Sequence, residues 1–161
     1  ERGECFHCHD GVSSSFSDST ADEKSFTSSQ FFHNIGLYNI NGDGSYPEFN
    51  QGLFEVTQIA SDKGRFKAPT LRNVELTAPY MHDGSMATLA EIIDLHSNGG
   101  RNVETGANIG DGRNHPYLDE NIAPRNFTEQ EKADLIEFLK SLTDNEFITN
   151  PKLANPFEQG N

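Results

Sequence analysis

The string Cys5-Phe6-His7-Cys8-His9 constrains this chain more than any other feature. C-x-x-C-H is the attachment pattern of c-type haem. Two thiols three positions apart can form thioethers with the two haem vinyl groups. The His directly after the second Cys then falls under the iron and supplies an axial nitrogen. Cys5 and Cys8 are the only two cysteines, too few for a disulfide framework. A redox C-x-x-C belongs beside a βαβ pattern, and the sequence has none. A zinc site needs a second Cys/His pair, and His33, His82, His96 and His115 are not spaced as one. The sequence therefore predicts one covalent haem c on Cys5 and Cys8, with His9 as proximal iron ligand. Covalent haem points to the bacterial periplasm or the cell exterior.

Composition fits a chain that borrows part of its core. Hydrophobic residues are 34% of 161, against about 45–50% in an ordinary globular chain on a scale that also counts Gly. There are 14 Gly and 15 Asn, yet also 12 Phe. A buried cofactor would supply the apolar centre that the aliphatic side chains do not. The balance of 12 basic to 25 acidic residues gives a net charge of -13. That excludes nucleic-acid binding, because no Lys/Arg stripe exists to neutralise phosphates, and it argues against anionic lipid. No apolar run approaches the ~20 residues of a membrane span. The chain opens at Glu1, four residues before its first Cys, and reads as a mature or excised piece.

Periodicity predicts few regular elements. Residues 1–9 should form a short helix carrying the haem motif, and 10–30 a Ser/Asp-rich loop. Residues 31–36 (FFHNIG) read as a compact apolar knot, and 39–50 as turns. Asn41, Asp43 and Ser45 alternate as in a calcium loop, but the closing Glu of that loop is missing. Leu53, Val56 and Ile59 have helical spacing within 52–60. Residues 65–85 are aperiodic, with two prolines, three basic residues and clustered aromatics. Such a segment wraps something. Thr88-x-x-Glu91 and Thr128-x-x-Glu131 are capping boxes. The first should open a helix through about His96 that Gly99-Gly100 stop. The second should open a helix to about Thr143 with Ala133, Ile136 and Leu139 on one stripe, widened by Leu135, Phe138 and Leu142. Residues 1–143 are read as the haem domain and 144–161 as an irregular tail. The expected class is all-α, with long loops wrapped around one covalently bound haem.

The iron's other side is open at this level. Met81, Met86, His33, His82, His96 and His115 are candidates. A Met would raise the potential, a second His would lower it, and an empty side would admit peroxide. Spacing alone does not choose among them.

Several segments, in order, carry a resemblance: residues 5–9 (CFHCH), 32–36 (FHNIG), 66–74 (FKAPTLRNV), 76–85 (LTAPYMHDGS), 88–93 (TLAEII) and the closing helix 135–143. Together they resemble the C-terminal haem domain of the bacterial di-haem cytochrome c peroxidases and their MauG-type relatives. The resemblance runs from residue 1 to about 143 and implies a cytochrome c-like helical domain. In that family the N-terminal haem is peroxidatic, and the six-coordinate C-terminal haem relays electrons to it. The distal ligand of the C-terminal haem lies at the end of the helix after Y-x-H-D-G, as Met in the peroxidases and Tyr in MauG. Fourteen positions beyond His82, that place is His96 here. The resemblance thus implies His9 and His96 as iron ligands. Met81 is the runner-up, standing where relatives often carry Phe. The family also holds a calcium at its domain junction, to which Thr77 and Pro79 would contribute backbone oxygens. Its remaining ligand belongs to the other domain, so calcium is a weak expectation here.

Haem propionates need charged or polar partners when buried. Arg72 and Lys67, set among apolar neighbours in the wrapping segment, are the expected partners. His82 is expected to hydrogen-bond near a propionate or the backbone. Phe6, Phe31, Phe32, Phe66 and Tyr80 are expected to pack on the haem. His7 should face solvent, and His33 and His115 are read as structural. No catalytic residue is assigned. The expected function is electron transfer, from a small donor cytochrome c or cupredoxin to a peroxidatic haem domain or subunit, with little peroxidase activity in this chain alone. The alternative is a stand-alone monohaem electron carrier.

Overall fold

The computed structural model describes residues 3–9, 31–155 and 157. The predicted loop over 10–30 lies outside the described residues. Among the described residues there are five α-helices: α1 (Phe6–His9), α2 (Phe54–Thr57), α3 (Leu89–Asn98), α4 (Glu129–Ser141) and α5 (Asn145–Thr149). Short 3-10 turns cover Ala60–Asp62, Val74–Leu76, Gly112–Asn114 and Pro151–Leu153.

The all-α expectation is overturned. Two short antiparallel ladders are present. In one, β1 (Phe32–His33) pairs with β2 (Phe66–Lys67); in the other, β3 (Asn102–Val103) pairs with β4 (Gly110–Asp111). Isolated bridges join Ile40 to Ser45, Gly52 to Arg65 and Tyr80 to Met86. The physical reason lies in the loops. A long chain segment that runs through the interior must pair its backbone N–H and C=O groups, and here extended stretches do so with one another. Two-residue strands carry too little alternation to be read from sequence.

The two long helices begin as their sequences dictate. Thr88 Oγ1 accepts from Glu91 N at 3.2 Å, and Glu91 Oε2 accepts from Thr88 N at 2.8 Å. Thr128 and Glu131 repeat the arrangement at 3.3 and 2.8 Å. Gly99 ends α3 in the left-handed conformation, φ 73°. A side chain there would meet the backbone of Ala123 and Pro124, so glycine is required twice over. The last-turn carbonyl of Ser97 has no partner within α3. It accepts instead from Arg125 N at 2.8 Å and Asn126 N at 3.0 Å, which leads the chain into α4.

Helices α3 and α4 pack together. The core is Leu37, Tyr38, Tyr46, Tyr80, Met86, Leu89, Ile93, Leu95 and Leu139. Leu135, Ile136 and Leu142 pack at its margin. Phe138, expected to widen the stripe of α4, instead stands 56% exposed. The segment beyond residue 143 carries α5, whose cap Asp144 donates its backbone N–H to Asn73 Oδ1 at 2.7 Å. The turn at 41–45 is closed by Asp43 Oδ1, which accepts from Ser45 N at 2.9 Å.

Candidate functional site

Helix α1 is a single turn. His9 N donates to Cys5 O at 2.9 Å, and Cys8 N donates to the same oxygen at 3.3 Å. Positions i, i+3 and i+4 lie on one face, so the turn presents Cys5, Cys8 and His9 together. Cys5 is exposed and Cys8 half-buried. His7 is exposed and pairs with Glu4 at 2.7 Å.

The aperiodic 65–85 segment meets this turn at Pro69. His9 Nδ1 lies 3.0 Å from the Pro69 carbonyl oxygen. A carbonyl only accepts, so Nδ1 carries the proton and Nε2 keeps its lone pair. A carbonyl on one ring nitrogen is the arrangement that orients a metal-ligating His and sets its tautomer. Burial lowers the His9 pKa, which keeps the ring neutral.

His96 sits in the last turn of α3, where the sequence expected it. Part of the residue reaches solvent, yet the protein around its ring pushes the imidazole down to about 4. The charge of nearby His9 adds to the effect, so the two rings lie within electrostatic reach of each other. No hydrogen bond among the described residues engages the His96 ring.

Two further imidazoles approach the same region through the β1–β2 ladder. His33 opposes Phe66 across it. Phe66 stacks on His82, with ring centroids 3.7 Å apart and planes at 10°. The Nε2 atoms of both His33 and His82 are buried without a hydrogen-bond partner. An unpartnered buried polar atom costs roughly 1–3 kcal/mol, so two of them together mark a place built for a polar group. On these observations the residues fit a haem. His9 and His96 offer free ring nitrogens, Cys5 and Cys8 offer thiols, and His82 offers a nitrogen to the edge.

Other expected contacts are placed as follows. Lys67 is half-buried on β2 opposite Phe32, while Arg72 is exposed. Met81 packs against the core with its backbone at φ 69°, and Met86 is buried in the core. Tyr80 is buried, with its hydroxyl donating to Val74 O at 3.0 Å. Phe6 is 51% exposed. Thr77 and Pro79, the expected calcium contributors, are exposed on either side of Ala78, whose bond to Pro79 is cis. His115 is buried as a structural residue, 3.1 Å from Asn34 Nδ2 and 3.2 Å from Gly44 O.

Sequence reasoning missed two residues. Arg125 lies close enough to Cys5 to act on it electrostatically, and its Nη2 donates to Asn121 O at 2.8 Å. His33 was read as structural, but it lies beside Cys8 and within electrostatic reach of His9. The residue that makes His33 notable is Asp119, 86 positions away, and no local pattern announces a pairing that distant.

The motif and the imidazoles around it describe a c-type haem domain, and the comparisons agree on that class. No protein-family model matches the chain. It is 32% identical over 111 residues to a cytochrome-c peroxidase (IdrP1) of Denitromonas iodatirespirans, which covers 68% of this chain and 26% of that protein. It is 30% identical over 123 residues to the methylamine utilization protein MauG of Methylorubrum extorquens, covering 76% of this chain and 30% of that one. The crystal structure of a MauG-like protein associated with microbial copper homeostasis superposes with a TM-score of 0.83 at 46% identity, over 97% of this chain and 44% of that one. The chain belongs to the di-haem cytochrome c peroxidase/MauG family of redox haem proteins. It spans about a quarter of the length of the curated relatives it matches. Among the described residues no helix is long and apolar enough to cross a membrane.

Proposed function

We propose that this chain is the electron-relaying haem c domain of a di-haem cytochrome c peroxidase or MauG-like protein. One haem is held by Cys5 and Cys8, with His9 and His96 as axial ligands. The observation that carries the reading is the pair of imidazoles with free nitrogens: His9, oriented by the Pro69 carbonyl at 3.0 Å, and His96, neutral and without a hydrogen bond on its ring.

A haem c supplies a one-electron couple. The chain's own residues set the conditions for it. Pro69 holds the His9 ring in one tautomer. The doubly capped α3 fixes His96 in its last turn. Phe66 and His82 form a flat aromatic wall at 3.7 Å spacing. Lys67 and Arg72 are the proposed basic partners of the propionates, and His82 a polar contact at the edge. The net charge of -13 suits a donor with a basic face, because complementary charge speeds encounter. Such a donor is a small cytochrome c or cupredoxin, and the acceptor is a peroxidatic haem. The proposed setting is the bacterial periplasm or the cell exterior, which the C-x-x-C-H haem-attachment motif supports. Association with copper homeostasis belongs to the structural relative and makes a copper-responsive setting worth testing.

The test is an optical and electron-paramagnetic spectrum of the purified holoprotein in both oxidation states. A covalent low-spin haem without a methionine–iron charge-transfer band is expected. Haem that leaves the denatured protein in acid-acetone, or a high-spin ferric state, overturns the reading.

A further inference from the structure

Readily oxidised aromatic side chains are few in this chain: it has four tyrosines and no tryptophan. Tyr38, Tyr46 and Tyr80 are buried, and their hydroxyls have different partners. Tyr80 donates to the Val74 carbonyl at 3.0 Å, and Tyr46 to the Asn34 amide oxygen at 3.1 Å. Neither oxygen is a useful base. Tyr38 donates instead to the Asp83 carboxylate, with its hydroxyl 2.6 Å from Oδ2, a short charge-assisted bond. Asp83 is exposed, so it can pass a proton between the buried phenol and water. Partial burial pushes the Asp83 pKa up, but the bonds it accepts from Tyr38 and Ser85 outweigh this and keep it ionised.

The same tyrosine stands at the end of a row of rings. Tyr38 and Tyr46 meet edge-on, with centroids 5.6 Å apart and planes at 85°. Tyr46 lies 6.3 Å from Phe66 and 6.5 Å from His82, the two stacked rings at the proposed haem edge. An electron crosses a row of neighbouring rings by short steps far faster than it crosses one long gap. Arg101 places its guanidinium carbon 5.9 Å from the Tyr38 ring centroid. A cation there repels positive charge on the ring, so oxidation of this phenol must expel its proton, and Asp83 is placed to take it.

We propose that Tyr38 is a redox-active tyrosine that gives an electron to the haem through Tyr46, and its phenolic proton to Asp83, when a peroxide has oxidised the protein. The oxidant is a peroxide, which takes two electrons and two protons to give water and an alcohol or a second water. One of those electrons is replaced from Tyr38: the ring loses an electron, the phenolic O–H bond breaks, and the proton bonds to Asp83 Oδ2. A neutral tyrosyl radical remains. One electron from the donor protein and the return of the proton restore the phenol. Tyr46, bonded to an amide, lacks such a proton acceptor and serves as a stepping stone. The inference rests on the haem function proposed above and adds to it a place where an oxidising equivalent waits when no donor is docked.

The test detects the radical by freeze-quench electron-paramagnetic resonance. Holoprotein is oxidised in two ways: by photogenerated tris(bipyridine)ruthenium(III), which takes one electron, and by hydrogen peroxide in the His96→Ala background, where the sixth iron position is open. A tyrosyl signal is expected from both. Tyr38→Phe, which keeps the ring, abolishes it; Tyr117→Phe, at the exposed tyrosine, leaves it. Asp83→Asn keeps a hydrogen-bond acceptor without the base and slows radical formation about a hundredfold, the low end of what a positioned proton acceptor contributes. Tyr46→Phe weakens the signal from peroxide and spares the one from the ruthenium oxidant, which reaches the Tyr38–Asp83 pair from solvent. A signal that survives Tyr38→Phe, disappears in Tyr117→Phe or forms at the same rate in Asp83→Asn overturns the proposal, as does the absence of any tyrosyl signal with the ruthenium oxidant. A peroxide signal unchanged in Tyr46→Phe overturns the route through that ring. A ferric haem that stays low-spin in His96→Ala overturns the iron ligation proposed above and not this inference, which the ruthenium oxidant then decides alone.

Discussion

Phe66 lies flat on His82, with ring centroids 3.7 Å apart and planes at 10°. Sixteen positions separate them in the sequence, too far for helical or strand periodicity to relate them, so the contact is set by the fold. The aromatic ring holds the imidazole plane while the His82 Nε2 points into buried space. Phe66→Leu keeps apolar bulk and removes the stack. Such pairs contribute about 0.5–1.5 kcal/mol beyond the area they bury. A loss of that order in the urea unfolding free energy is expected, while Phe49→Leu, at a ring 94% exposed, leaves it unchanged.

His96→Ala opens the proposed sixth position. The ferric haem should pass from low-spin to largely high-spin, with His9 and both thioethers intact. Met81→Ala should leave the spectrum low-spin. The reverse outcome, a loss of low-spin character in Met81→Ala alone, assigns the ligand to Met81.

Stability should fall at alkaline pH through His33. Hydrogen bonding to Asp119, and after it to the Cys8 thiol, raises its pKa to about 10, from about 6.5 in an unfolded chain. A raised folded pKa means that the folded state binds the extra proton between those values. The contribution is whole below about pH 6.5 and disappears as pH climbs through about 10. Asp119, lowered by the hydrogen bonds it accepts from His33 and Asn121 against the opposing effect of burial, works at the other end. Its contribution is present above the ordinary carboxylate range and lost below it. Urea midpoints at pH 6, 8 and about 10 should decline for wild type. The decline should be shallower when His33 and Asp119 are both replaced by Leu.

Thr88→Ala removes the hydroxyl that accepts from Glu91 N at 3.2 Å. N-cap losses of this kind cost about 1 kcal/mol. Thr128→Ala should cost a similar amount, and the two should add, since each starts a separate helix. Thermal unfolding of the single and double variants measures this. A double variant no worse than either single one contradicts it.

Local chemistry explains which parts were legible in the sequence. C-x-x-C-H writes its own turn because the spacing of Cys5, Cys8 and His9 is the spacing of one helical face. Thr88-Glu91 and Thr128-Glu131 announce helix starts because each capping box lies within four residues. Gly99 announces a stop because only glycine accepts its backbone comfortably. The capping box and Gly99 together set His96 in the last turn of α3, and its role as an iron ligand is implied by the resemblance. The ladders were not legible: Phe32–His33 and Phe66–Lys67 are too short to show alternation, so an all-α class was expected where a mixed one stands. Phe138 was misjudged because the apolar stripe of α4 was drawn wider than the face α3 covers. His33 was missed because Asp119 arrives from a remote loop.

The capped helix α3 also works as a ruler. Thr88 fixes its zero point, and His96 is read off eight residues later. An α-helix turns about 100° per residue, so one residue inserted or deleted between them swings the imidazole about a quarter-turn away from His9. The 104–109 stretch of the β3–β4 connection, exposed at most of its positions, has no such clock and can change length freely. Anyone grafting this domain, or searching genomes for its counterparts, should treat the interval from the capping threonine to the histidine as rigid and the connection as elastic.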